Sequence, residues 1–312
     1  MRSKQQGYVL LVILALMMAG GAGYFVSTVN ETAIQSEAGR NKDILKQLRN
    51  ARDRLLTYAA THPEVYGDTT PTPGPGYFPC PDQDNNRWTD GSCSDEVAIG
   101  RLPEKIGSRG VNFLPEGLDR QLVWYALDSN YSYQGGDSRC DAPMSNKDPI
   151  DRCEPLNHDA PSSRITLNGK SDYVALLFYA GMAQGGQDRG TSNDVTDFLD
   201  GGNADGDGDF FSVQAGNDIN DLVVGITKAE WLALMRKRLV QDISDNGGCD
   251  GGLADTDHWF SRNQWADDSV ISGRCNGGSD PDPDPDDSEK SESSEKSGKK
   301  NGKGNNGKHN GW

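Results

Sequence analysis

The chain has 312 residues, of which 34% are hydrophobic, 25% are charged and 38 are glycine, and its formal net charge is −16. An acidic excess of this size repels nucleic-acid phosphates and anionic lipid headgroups, so we do not expect nucleic acid as a partner. The length allows one large domain or a domain with long insertions, and the polar, glycine-rich composition predicts many loops and a modest core.

The N-terminus combines a short basic leader with a long uncharged segment. Arg2 and Lys4 precede Gly7, and the 22 residues 8–29 carry no charge. At about 1.5 Å per residue, a helix of that length crosses a hydrocarbon core of about 30 Å. In a secretory signal peptide the cleavage site follows a shorter apolar region, whereas here the junction that looks cleavable, Gly7-Tyr8, precedes it.

The leader KQQG, followed by an aromatic residue and an apolar helix, resembles the class III signal of type IV pilins and type II secretion pseudopilins. In that family a prepilin peptidase cuts after the glycine and methylates the new N-terminus. The resemblance implies a leader of residues 1–7 and a mature chain that begins at Tyr8. Major pilins usually carry Glu at the fifth mature position, where this chain has Val12, which favours a minor or initiating subunit. The alternative is an uncleaved membrane anchor.

The charge distribution and the resemblance together predict where the protein lies. Basic residues before the apolar segment favour a single-pass protein of the inner membrane, with a cytoplasmic N-terminus and a periplasmic body. The resemblance implies later insertion in a pilus or pseudopilus, with the prepilin peptidase and other pilin or pseudopilin subunits as partners.

The helical pattern continues beyond the uncharged segment. Apolar residues separated by three or four positions form one stripe: Ile44, Leu48, Ala51, Leu55 and Ala59. His62-Pro63 ends the pattern. We therefore predict one helix over residues 8–61, with an apolar first half and an amphipathic second half that packs on a sheet, as in pilins.

Three strands and a second helix are predicted in the body. The strands are residues 121–127, 172–180 and 222–226, and the helix is 227–241, which begins with the capping-box pair Thr227 and Glu230. The motifs FPCPD and GRLP precede LVWYAL, as in a recurrent group of large pseudopilin-like proteins, where they lie before the first strand. The predicted fold class is α+β and pilin-like, with the long helix covering a small antiparallel sheet and with long loops.

Six cysteines follow the apolar segment and form three neighbouring pairs. The predicted disulfides, which persist in the periplasm, are Cys80–Cys93, Cys140–Cys153 and Cys249–Cys275. A zinc cluster would need close C-x-x-C or C-x-x-H pairs, which the sequence lacks. The charged tail, residues 277–312, has almost no apolar residues and is predicted to be disordered, which leaves residues 30–276 as the periplasmic domain.

The glycine-rich stretch GGNADGDGDFF, residues 201–211, is the strongest candidate binding site. Its oxygen-bearing side chains alternate as in a calcium loop of the form D-x-[DN]-x-[DN]-G, and calcium loops also occur in major pseudopilins. The predicted ligands are Asn203, Asp205, Asp207, Asp209, Asp218 and Asp221. Gln214 replaces the bidentate Glu of an EF-hand, and a cluster of turns without metal is the alternative.

Motifs for catalysis are absent: the sequence contains no G-x-S-x-G, no H-E-x-x-H and no P-loop. We therefore expect a structural assembly subunit, not an enzyme, and apart from calcium we expect no cofactor. The alternative function is a membrane-anchored periplasmic module that binds a ligand or the cell wall.

Overall fold

The computed structural model describes most of the body between residues 37 and 275. Its described residues are 37–61, 74–90, 93, 95–106, 109–132, 156–160, 162–190, 192–213, 219–249, 252–254 and 258–275. All lie within one compact unit, Met1–Gly277. The predicted leader, the apolar segment 8–29, Cys140, Cys153 and the tail 277–312 lie outside the described residues. Within the described part, no helix is both long and apolar enough to cross a membrane.

Among the described residues, three further α-helices and eight strands accompany the helix α1 of residues 37–61. The strands are β1 (Val97–Arg101), β2 (Lys105–Ile106), β3 (Arg109–Gly110), β4 (Val123–Asp128), β5 (Ile165–Leu167), β6 (Lys170–Tyr179), β7 (Asp209–Phe210) and β8 (Leu222–Thr227). The helices are α2 (Lys228–Asp245), α3 (Trp259–Arg262) and α4 (Ser269–Cys275).

The main sheet is antiparallel around the central strand β6. β4 pairs with one edge of β6 and β8 with the other, and β1 pairs with the outer edge of β4. β5 pairs with the first part of β6, and β7 joins β5 in the parallel sense. β2 and β3 form a separate hairpin. The fold is α+β with a predominantly antiparallel sheet.

The helix α1 packs one face against this sheet. Its buried stripe includes Leu48, Ala51 and Leu55, each fully buried in one core with the sheet residues Tyr125 and Leu177. The stripe follows the predicted spacing, because positions three and four residues apart share one face of a helix. The amphipathic second half of the predicted helix is therefore present from residue 37 onward.

The other face of the sheet is also covered. Successive side chains of a strand point to opposite faces, so Trp124 and Phe178 lie in a second core while their neighbours Tyr125 and Leu177 lie in the first. The loop between β6 and β8 contributes Phe198 to this second core. Because both faces of the sheet are covered, the sequences of β4 and β6 contain continuous runs of apolar residues where a half-exposed strand would alternate apolar and polar residues.

The three predicted strands are confirmed as β4, β6 and β8. One expectation was wrong: the GRLP segment does not simply precede the first strand, since Gly100 and Arg101 end β1 itself. The capping box of Thr227 and Glu230 is confirmed at the start of α2. This helix extends beyond residue 241 because Ile243 continues its buried face.

Two of the three predicted disulfides lie in the described part of the chain, and both form with the predicted partners. Cys80–Cys93 closes the loop that precedes β1. Cys249–Cys275 joins the chain just after α2 to the end of α4. In the chain-entropy account a loop of this size gains about 3 kcal/mol from its disulfide.

Candidate functional site

The candidate site lies in the loop of residues 181–221, which leaves β6, crosses the second face of the sheet and returns as β8. Two aromatic contacts hold this loop: Phe198 lies 5.4 Å from Trp124, and Phe210 lies 5.2 Å from Phe178, measured between ring centroids. We call residues 182–213 of this loop, which the structure describes except for position 191, the acidic segment, because they include seven Asp residues and one Arg. Apolar anchors thus position a surface that is otherwise acidic.

Three buried polar residues join the middle of the loop to its C-terminal end. Asp221 Oδ2 accepts hydrogen bonds from the Asp200 backbone N–H and from Asn203 Nδ2, both at 2.9 Å. Asn203 also pairs with the backbone of Phe211, to which it donates at 2.9 Å and from which it accepts at 2.7 Å. Asp200 accepts from the Asn220 N–H at 2.8 Å. Since buried polar groups are costly when unpaired, these contacts define the path of the loop.

Burial shifts the ionisation of Asp221. Its side chain has no exposed surface, and desolvation raises its pKa above the ordinary value of 3.8. The hydrogen bond from Asn203 opposes this rise, because it favours the ionised carboxylate. Of the predicted calcium ligands, Asn203 and Asp221 are therefore brought together, and both are used as internal hydrogen-bonding groups.

Three other predicted ligands lie at the surface of the acidic segment. Asp205 accepts from the Asp207 N–H at 3.2 Å, and Asp207 accepts from the Asp209 N–H at 2.8 Å. Asp209 also accepts from the Thr166 hydroxyl at 2.8 Å. These are the contacts of consecutive turns built by Asp side chains. Asp218 lies outside the described residues, and calcium binding by this set stays a prediction.

Glycine is required at one turn of this segment. Gly208 has a φ of +95°, and a Cβ atom placed there would lie 2.7 Å from the Arg164 carbonyl oxygen. A side chain at this position would meet both backbone strain and a direct clash. The close approach lets β7 pair beside β5.

A second acidic group, which the sequence analysis did not identify, lies in the loop closed by Cys80–Cys93. This group consists of Asp82, Asp84 and Asp90, and one carboxylate oxygen of each lies within 4.8 Å of the other two. In the described part of the chain, no other group of three or more Asp, Glu, His or Cys residues brings its ligand atoms this close together. Asp82 is fully buried and accepts from Arg120 Nη2 at 2.6 Å. The oxygen-rich spacing PDQD was the available signal.

Neighbouring contacts already use these carboxylates. Asp82 accepts from the backbone N–H groups of Asn86 and Arg87, and Asp90 accepts from the Gln83 N–H at 2.9 Å. Desolvation is the largest effect on Asp82 and raises its pKa above the ordinary value. The described contacts therefore organise the loop beside β1.

A buried arginine connects β1 to the acidic segment. The Arg101 guanidinium lies 4.0 Å from the Trp124 ring centroid and 4.1 Å from that of Phe198, and only 2% of the residue is exposed. Such stacking on aromatic faces is favourable for a desolvated cation. Burial and the nearby charge of Arg120 lower the pKa of Arg101 to about 10. The stack therefore ties the loop to the sheet.

The fold and site together define an α+β domain whose sheet has an amphipathic helix on one face and an acidic loop on the other. A comparison of the chain with protein-family models, with curated proteins and with solved structures finds no match.

Proposed function

We propose that the protein is a structural subunit of a type II secretion or type IV pilus machine, of the minor pseudopilin or pilin-like kind. Its role is mechanical and involves no enzymatic reaction. The N-terminal segment 8–29 stores the subunit in the inner membrane after cleavage at Gly7-Tyr8. The subunit then enters a filament when this segment exchanges lipid contacts for contacts with neighbouring helices.

The observation that carries the proposal is the order of parts along the chain. A short basic leader and 22 uncharged residues precede the helix α1, which packs one apolar stripe on an antiparallel sheet. One continuous helix over residues 8–61, as the sequence predicts, would move together with the folded body. The order of these parts is that of pilins, and it supports the proposal.

The composition of the apolar segment fits close packing between helices. Gly20, Gly21 and Gly23 lie within residues 8–29 and remove side chains where helices can approach. Without a hydrophobic driving force in lipid, helix association depends on such close van der Waals contacts. Val12 cannot neutralise a neighbour's amino terminus as Glu does, so the proposal favours a minor subunit over a repeating major one.

The experiment that tests this proposal is processing of the full chain in cells with and without a prepilin peptidase. We expect the peptidase to remove seven residues and to leave N-methylated Tyr8, which N-terminal peptide mass spectrometry detects. Gly7→Val is the matched control, since a branched side chain at the cleaved bond blocks access while leaving the uncharged segment intact.

The same experiment separates the alternative function. A chain that keeps Met1 in the presence of active peptidase favours a membrane-anchored periplasmic module that binds a ligand or the cell wall. A processed chain whose production depends on Gly7 favours the filament subunit.

A further inference from the structure

Basic charge is concentrated on the exposed side of α1, although the whole chain is strongly acidic. Residues 37–61 contain six basic and three acidic side chains, a net charge of +3. Lys42, Lys46 and Arg49 are spaced by four and three positions, so they form one stripe on the helix face that points away from the sheet. All three are exposed, and none forms an ion pair within the described part of the protein.

Acidic charge is concentrated on the opposite face of the sheet. The acidic segment has a net charge of −6, and its one arginine, Arg189, donates to the carbonyl oxygens of Gly181, Asp197 and Phe198. Five of its Asp residues are exposed: Asp188, Asp194, Asp205, Asp207 and Asp209. The acidic segment packs in the second core and α1 packs in the first. The acidic surface and the basic stripe therefore lie on opposite sides of one sheet.

The acidic segment also exposes apolar side chains. Met182 is 65% exposed and Val213 is 48% exposed. The two are hydrogen-bonded to adjacent residues of the chain: Asn220 Nδ2 donates to the Met182 carbonyl, and the Val213 N–H donates to the Asp221 carbonyl. Exposed apolar groups rimmed by charge are a common feature of protein interaction surfaces.

We infer that the acidic segment of one copy of this chain binds the basic stripe of α1 in a second copy. The two surfaces are complementary in charge: the basic stripe has no ion partner among the described residues, and the acidic segment of the same chain carries the opposite charge. Because the two surfaces lie on opposite faces, the contact is heterologous, and it places two copies of this minor subunit next to each other. The inference rests on the proposed filament function and names the neighbouring subunit within it.

Site-specific photocrosslinking of the full chain in membranes tests this contact. The photoreactive residue p-benzoylphenylalanine replaces Lys42, which keeps Lys46 and Arg49 in the stripe. We expect a crosslinked dimer whose joined peptide contains residues 201–213. The same residue in place of Lys237, an exposed lysine of α2, is the matched control and gives a background yield.

Charge reversal provides the decisive comparison. Lys46→Glu with Arg49→Glu is expected to lower the crosslink yield about tenfold, since like charges then face each other across the contact. Adding Asp205→Lys and Asp207→Lys restores complementarity and should return the yield to within about twofold of the original. Melting curves of each variant identify loss of folding, and the milder pair Asp205→Asn and Asp207→Asn keeps the turn-forming oxygens while it weakens the contact.

Three results would overturn the inference. One is a yield at position 42 no greater than at position 237, another is a crosslink mapped to a different protein, and the third is insensitivity to charge reversal. If cleavage at Gly7 proceeds normally in any of these cases, the proposed function stands and only this contact is refuted. If cleavage fails, the proposed function is refuted whatever the crosslinks show.

Discussion

Packing of α1 on the sheet can be tested by shortening one buried side chain. Leu48 is fully buried in the core that contains Tyr125 and Leu177. Leu48→Ala removes this packing and leaves a cavity, and substitutions of this kind cost about 3 kcal/mol in the free energy of unfolding. With a urea dependence of about 3 kcal/mol per molar, the unfolding midpoint should fall by about 1 M.

The assay is urea unfolding of the full chain in detergent micelles, followed by tryptophan fluorescence. Trp231 is a suitable reporter because it is fully buried in the same core and its indole N–H donates to the Gly76 carbonyl at 2.9 Å. Gly76 in turn donates to the Ala59 carbonyl at 2.7 Å, near the end of α1. Release of α1 should therefore change the environment of this tryptophan.

Lys46→Ala is the matched control on the same helix. Lys46 is exposed, so its truncation should change the free energy of unfolding by no more than about 0.5 kcal/mol. Equal midpoints for Leu48→Ala and Lys46→Ala would refute the one-sided packing of α1, and with it the main structural support for a pilin-like rod attached to a sheet.

Three further predictions concern the loop on the second face. The Asp221→Asn variant should have a higher free energy of unfolding than the original chain at neutral pH, and a nearly equal one below pH 3.8. The reason is that the pKa of Asp221 is raised in the folded state, so the original chain loses stability as pH rises through that pKa and the carboxyl group ionises. A variant that is less stable by the same amount at every pH would contradict this. Gly208→Ala should lower the melting temperature by several degrees through its clash with the Arg164 carbonyl, whereas Gly206→Ala, whose Cβ meets no atom within 4 Å, should cost less. Millimolar calcium should raise the melting temperature relative to EDTA if the predicted site binds calcium, and coincident curves would exclude it.

Much of the layered fold could be predicted because its signals are local. The stripe of α1 follows helical spacing, and the apolar residues of β4 and β6 identify buried strands. The capping box of Thr227 and Glu230 marks the start of α2 within a single turn. In each case neighbours in sequence carry the information.

The missed elements depend on distant partners. β1 includes Gly100 and Arg101, which interrupt an apolar pattern. Glycine is needed there because a Cβ atom would lie 2.8 Å from the Asp82 carbonyl oxygen, a contact that no local pattern reveals. Charged residues are usually exposed, so the burial of Arg101 and Asp82 could not be expected without the aromatic stack and the Arg120 ion pair.

The candidate calcium residues illustrate the same limit. Alternating oxygen donors in residues 201–211 suggested one group of ligands, and Asp205 and Asp207 do lie together at the surface. Asn203 and Asp221 are instead buried and bonded to each other. Composition alone does not distinguish an oxygen that faces solvent from one that holds a loop together.

The most direct test of the filament proposal is the identity of the first residue in protein purified from native membranes. Intact-mass and N-terminal peptide measurements should find a chain that starts at N-methylated Tyr8 and retains the apolar segment 8–29. A chain that still begins at Met1, or one that lacks the apolar segment altogether, would contradict the proposal.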